Sequence, residues 1–150
     1  MTPANAIDVL LVEDNPDDLA LTLRALRKVG AFKRIHVARD GAEALEFIFC
    51  EGAFASRSFA DGPRVVLLDL KLPKIDGLEV LRRIKGDPRT QMIPVIVLTS
   101  SKEQADVAET YLIGVNSYIV KPVEFERFIE VVGQLGLYWL LYNQPPNGVA

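Results

Sequence analysis

The stretch Val65–Gly77, VVLLDLKLPKIDG, decides the fold. Val65 to Leu68 form an unbroken apolar run, the pattern of a strand covered on both faces. Asp69 interrupts the run and Leu70 resumes it. A carboxylate in an apolar interior is costly unless it is paired or metal-bound. Either Asp69 is a structural oddity with a buried partner, or the strand ends there and delivers the carboxylate to a site.

Working outward, the same alternation of periods recurs along the whole chain. IDVLLVE (Ile7 to Glu13) is a second short apolar run. DNPDD after it reads as a helix start: Asn15 can cap, Pro16 suits the first helical position, and Asp17 and Asp18 favour the positive end of the helix dipole. Leu19, Leu23 and Leu26 follow at helical spacing, and Gly30 stops the helix. RIHVA is a strand, and the next helix carries Leu45, Ile48 and Phe49 on one stripe. A connection rich in Gly, Ser and Ala (Glu51 to Pro63) leads into the opening stretch. A helix from about Leu78 to Lys85 follows, then the strand IPVIVLTS. The next helix shows Ala105, Ala108 and Tyr111 or Leu112 on one side. VNSYIV is the last strand, and a final helix from near Val123 is expected to reach Trp139. Five strands alternating with five helical segments predict an α/β fold, a parallel sheet wound on both faces.

The totals limit the function. At 150 residues with a net charge of −3, the chain is one domain with no basic patch to suggest nucleic-acid binding. Cys50 is the single cysteine, so no internal disulfide forms, and it reads as a small buried hydrophobe. No signal-peptide pattern and no spanning apolar run are present, which points to the cytoplasm and away from membranes. His36, alone in RIHVA, reads as a structural residue.

In wound parallel sheets, ligands bind outside the carboxyl ends of the strands. Those ends here carry Glu13 and Asp14, Asp69, Thr99 and Ser100, and Lys121. Three converging carboxylates call for a neutralising cation, and Mg²⁺ is the usual choice. With the Lys121 ammonium and the Thr99 hydroxyl, this set suits a phosphoryl group. Asp69 is then the nucleophile, since a carboxylate can form an aspartyl phosphate. Asp17, Asp18, Asp76 and Asp87 read as helix-start or turn carboxylates.

LLVEDN, LLDLKLPKIDG, VLTS and YIVKP together resemble the receiver domain of two-component response regulators, over roughly residues 7 to 135. The resemblance implies a flavodoxin-like (βα)5 sandwich with strand order 2-1-3-4-5. It implies Asp69 as phosphoacceptor assisted by Lys121 and Thr99, with Thr99 and Tyr118 as the switch pair. It also implies Mg²⁺, with Mn²⁺ a possible substitute, on Asp14, Asp69 and the Lys71 carbonyl, with Glu13 acting through water. A cis Lys121–Pro122 peptide belongs to the same pattern. EDNPDD, the long connection and the tail LGLYWLLYNQPP further resemble single-domain regulators paired with phytochrome-type histidine kinases.

That resemblance predicts a phosphoacceptor signalling protein rather than an enzyme. Residues 1–142 form the receiver with its extended last helix and 143–150 a flexible tail, too short for an output domain. Its expected partners are a sensor histidine kinase and, for onward transfer, a downstream phosphotransfer protein. Lys71 and Ser101 lie where they could admit or block water. An aspartate-nucleophile phosphohydrolase would commonly need an acid where Lys71 stands, and a phosphorylation-independent module would usually lose part of the acid site. No G-x-G-x-x-G follows the first strand, which excludes a dinucleotide site. On the last helix, Phe125, Phe128 or Ile129, Val132 and Trp139 can face the sheet. Val131, Leu135, Tyr138 and Tyr142 form a second apolar stripe. With Trp139, that stripe predicts a homodimer.

Overall fold

The computed structural model describes residues 7–30, 33–100, 104–121, 124–136 and 138–139. The strands are β1 (Val9–Val12), β2 (Ile35–Ala38), β3 (Val65–Leu68), β4 (Val95–Thr99) and β5 (Ser117–Val120). The helices are α1 (Pro16–Val29), α2 (Gly41–Ile48), α3 (Gly77–Gly86), α4 (Gln104–Ile113) and α5 (Phe125–Gly136). All strand pairings among the described residues are parallel and the strand order is β2-β1-β3-β4-β5, as the resemblance implied. Pro122, Ser101, Tyr142 and the tail fall outside the described residues, so the expectations placed on them go no further here.

Burial explains which strands were legible. β1, β3 and β4 are buried along their whole length. Alternate residues feed two cores. Leu10, Val12, Val66, Leu68, Val95 and Val97 meet α2 and α3, whereas Val9, Leu11, Val65, Leu67, Ile96 and Leu98 meet α1 and α5. Leu81 of α3 is fully buried, and truncating such a side chain to Ala costs about 2–5 kcal/mol. α1 begins as its sequence dictates: the Asn15 side chain accepts from the backbone of Asp17 at 2.9 Å and of Asp18 at 3.1 Å. It ends on Gly30, whose φ of 75° lies in the left-handed region that glycine tolerates.

Two expectations need correction, those for Phe125 and Cys50. On α4, Ala105, Ala108, Tyr111 and Leu112 share one side, as expected, and that side faces solvent, with Leu112 88% exposed. The inward residue is Thr110, buried because its hydroxyl donates to the Val107 carbonyl at 2.8 Å. On α5, Phe128 and Val132 reach the core but Phe125 does not: it is exposed, beneath the Arg24 guanidinium. The α-type segment of the last helix is bounded at Gly136, and Tyr138 and Trp139 beyond it have π-helical geometry. Cys50 is half-buried, not buried, in a left-handed turn with φ 55°.

The connection before β3 is ordered by Arg57. Its guanidinium stacks on Phe47 at 3.6 Å and donates to the carbonyls of Phe47 and Gly62. Phe47 also stacks on His36, with ring centroids 4.0 Å apart, consistent with a structural role for that histidine.

Candidate functional site

β3 ends at Leu68, and Asp69 is the first residue beyond it. Its backbone N–H still donates to the Val12 carbonyl at 3.1 Å, so the neighbouring strand fixes where the carboxylate begins. The Glu13 N–H donates to Ala38 and the Lys121 N–H to Thr99 in the same way, at 3.0 and 2.7 Å. The ends of the sheet therefore hold all four residues by backbone bonds. Gly77 is required beside them: a Cβ there would lie 2.4 Å from the Asp69 carbonyl oxygen.

Both halves of the opening alternative hold, since Asp69 stands at a site and is also paired. Its Oδ1 accepts from the Thr99 hydroxyl at 2.8 Å and the Lys71 N–H at 3.3 Å. Its Oδ2 accepts from the Lys121 ammonium at 3.1 Å. Thr99 is fully buried and Asp69 is 9% exposed. Lys121 Nζ also donates to Glu13 Oε1 and to Asp18 Oδ2, the latter at 2.9 Å. Asp18, read from the sequence as a helix-start carboxylate alone, is thus a further residue of the site. Its only sequence signal was its place on the first turn of α1, next to a strand end. Asp17 stays exposed, and Asp76 caps α3 by accepting from Leu78.

Glu13, Asp14 and Asp69 each offer a carboxylate oxygen within 4.8 Å of the others. Glu13 is buried and Asp14 exposed, so the group opens to water on the Asp14 side. Burial pushes the Glu13 carboxyl up to about 7, with the Asp69 charge adding to it and Lys121 opposing it. Burial alone would lower Lys121, but hydrogen bonds to Asp18 and Glu13 and the charges of Asp69 and Glu13 hold it protonated well above the usual lysine range. Three hard oxygen donors with one open side fit a divalent cation such as Mg²⁺, which keeps several waters.

Tyr118 pairs in register with Val97 and packs half-buried against the α2–α3 core, while Thr99 pairs with Val120. Of the proposed dimer residues, Leu135 and Trp139 pack against the chain's own α1–α5 core. Val131 is half-buried and Tyr138 is 53% exposed.

The response regulator receiver domain family matches residues 9–133. The chain belongs to it. This receiver is 45% identical, over 93% of its length and 87% of the relative's, to the probable methanogenesis regulatory protein FilR2 of Methanothrix harundinacea. It superposes on the phosphorylated cyanobacterial phytochrome response regulator RcpA with a TM-score of 0.87, at 37% identity, covering 95% of this chain and 99% of RcpA. The Mn²⁺-bound response regulator Rcp1 gives 0.86 at 34% identity, covering 93% and 99%. The receiver is a phosphoacceptor signalling protein with an acidic triad typical of its family. No helix among the described residues is long and apolar enough to cross a membrane.

Proposed function

We propose that this receiver works as a single-domain response regulator, accepting a phosphoryl group on Asp69 from a sensor histidine kinase of the phytochrome type. The carrying observation is the arrangement around Asp69: Thr99 on one carboxylate oxygen and Lys121 on the other, with Glu13 and Asp14 adjacent. An Asp69 oxygen bonds to phosphorus, the bond from phosphorus to the kinase histidine breaks, and its electron pair stays on the imidazole nitrogen. Asp14, Asp69 and the Lys71 carbonyl would hold Mg²⁺, with Glu13 supporting them through water, and Mn²⁺ could replace it. When bound, the ion would neutralise the phosphoryl charge. Thr99 and Lys121 then donate to phosphoryl oxygens. As Thr99 shifts, Tyr118 has room to turn inward, which alters the surface that partners read.

The likeness to RcpA, a cyanobacterial phytochrome response regulator, supports this pairing. The similarity to FilR2 supports the regulator reading without the light receptor. Signalling then proceeds by partner exchange or by onward transfer to a phosphotransfer protein, in the cytoplasm. Incubation with phytochrome-type and other histidine kinases and radiolabelled ATP tests the pairing. Preferential, Mg²⁺-dependent labelling by the phytochrome type is expected. Labelling only by kinases without a phytochrome module, or unchanged labelling in excess EDTA, would overturn the corresponding part.

The same reading includes a homodimer through the end of the last helix, using Val131, Leu135, Tyr138 and Trp139. The exposed Tyr138 ring beside Trp139, next to the edge strand β5, supports it. Leu135 and Trp139 would contribute only their outer edges, since both also serve their own core. Sedimentation equilibrium at micromolar concentration should show a wild-type dimer and a Tyr138→Asp monomer.

A further inference from the structure

Of the three carboxylates that hold the Lys121 ammonium, Glu13 and Asp69 belong to the acidic triad and Asp18 does not. An ammonium has three N–H donors and no acceptor, so this set uses all of them. Lys121 is thereby committed in full, its side chain only 7% exposed. Asp18 is itself held firmly. Its backbone N–H donates to the Asn15 side chain at 3.1 Å, and its carbonyl accepts from the Thr22 hydroxyl at 2.8 Å. The Asn15 N–H in turn donates to Glu13 Oε2 at 3.2 Å, so the start of α1 and the end of β1 form one hydrogen-bonded unit.

Two of the three partners have other work during phosphoryl acceptance. A new bond from Asp69 to phosphorus removes the carboxylate charge that Lys121 now faces, and Glu13 and Asp69 each offer an oxygen to the acidic triad that would hold a cation. Asp18 alone has no second role among the contacts the site makes. We propose that Asp18 is the positioning residue for Lys121: its carboxylate keeps the ammonium beside Asp69 while Glu13 and Asp69 are engaged elsewhere, leaving the remaining N–H donors for a phosphoryl oxygen. This rests on Asp69 being the phosphoacceptor. The competing view makes the Asp18–Lys121 contact a strut that ties α1 to the end of β5 and does nothing else.

A double-mutant cycle separates the two. Labelling rates with acetyl phosphate and Mg²⁺ are measured for wild type, Asp18→Asn, Lys121→Met and the double variant, with Asp69→Asn as control. Asp18→Asn should slow labelling about tenfold or more in the wild-type background, toward the roughly hundredfold that a misplacement of about 1 Å can cost. In the Lys121→Met background it should change nothing, because residues acting as one unit are not additive. Asp18→Glu, which keeps the charge on a longer arm, should recover part of the rate and covers the case in which Asp18→Asn melts early. In metal-free protein, the ¹⁵N ammonium signal of Lys121 should be sharp in wild type and lost to exchange in Asp18→Asn. An unchanged rate in Asp18→Asn, or an equal loss in both backgrounds, overturns the proposal. Label retained on Asp69→Asn would instead overturn the phosphoacceptor assignment beneath it.

Discussion

Lys121 and Lys85 stand at opposite ends of the sheet, and each ammonium meets three oxygens. Lys121, at the carboxyl end of β5, meets three carboxylates. Lys85, near the end of α3, donates to the Gln91 carbonyl at 3.1 Å, the Ile93 carbonyl at 2.8 Å and Asn116 Oδ1 at 2.9 Å. Those oxygens lie just before β4 and β5, at the amino end of the sheet. Burial acts against the charge of both lysines. At Lys121 the carboxylates overcome it, whereas at Lys85 neutral dipoles do not, and burial pulls its pKa down to about 8. The Asn116 oxygen also accepts from the Val95 N–H at 2.8 Å, so the Lys85 cluster fastens α3, β4 and β5 together. The Lys121 cluster carries excess negative charge that a cation and a phosphoryl group can rearrange. One end of the sheet is a fixed joint, and the other is a site with exchangeable partners.

Removing the acceptor tests that contrast most severely. Asp69→Asn should lose all acid-labile label from acetyl phosphate or a phosphorylated kinase while keeping its circular dichroism spectrum.

Lys121→Met should come next. It leaves Glu13, Asp18 and Asp69 facing one another without their cation, and breaking a buried ion pair costs about 3–5 kcal/mol. The partial exposure of Asp18 places the loss at the low end of that range or below it. Urea denaturation would measure it, and added Mg²⁺ should restore part of the loss by neutralising the remaining carboxylates. Equal stability with and without Mg²⁺ would argue against cation binding at the triad.

A smaller effect is expected for Lys85→Met. Three acceptors lose a charged donor, which costs about 1–3 kcal/mol, while the labelling rate stays at the wild-type value. A large fall in labelling would show that the amino end of the sheet is coupled to the site.

The smallest effect is a pH dependence. The folded pKa of Lys85 lies below its unfolded value of 10.5, so between about pH 8 and 10.5 the unfolded chain holds more protons at this group. Its contribution to stability is therefore fully present above that window and lost as pH falls through it. Lys121 is shifted the other way, so its contribution is present below its ordinary pKa and fades only at higher pH. NMR titration of the two Cε carbons should show Lys85 titrating first by a wide margin, and coincident midpoints would remove the contrast.

Much of the fold was readable because β1, β3 and β4 are buried on both faces, and such strands must be apolar throughout. On α4 the sequence grouped the residues but left their direction open, because helical spacing alone does not say which side a helix presents. Ala105, Ala108, Tyr111 and Leu112 do share a side, but it faces water. The dimer stripe was affected similarly: Leu135 and Trp139 are apolar partly because their own core uses them.

Sequence by itself determined the alternation of strands and helices, and with it the set of polar residues delivered to the carboxyl ends of the strands. Glu13, Asp69, Thr99 and Lys121 could be named because each follows or ends an apolar run, a purely local pattern. Asp18 could not, since its contact with Lys121 spans 103 positions. β1 and β5 are not even neighbours in the sheet. Only the packing of α1 and α5 on one face, through Leu19, Leu26, Phe128 and Val132, brings the first turn of α1 to the end of β5. A carboxylate at a helix start satisfies the helix dipole wherever that helix lies, so nothing local distinguishes Asp18 from Asp17. The tertiary structure alone decided which of the two would hold the lysine.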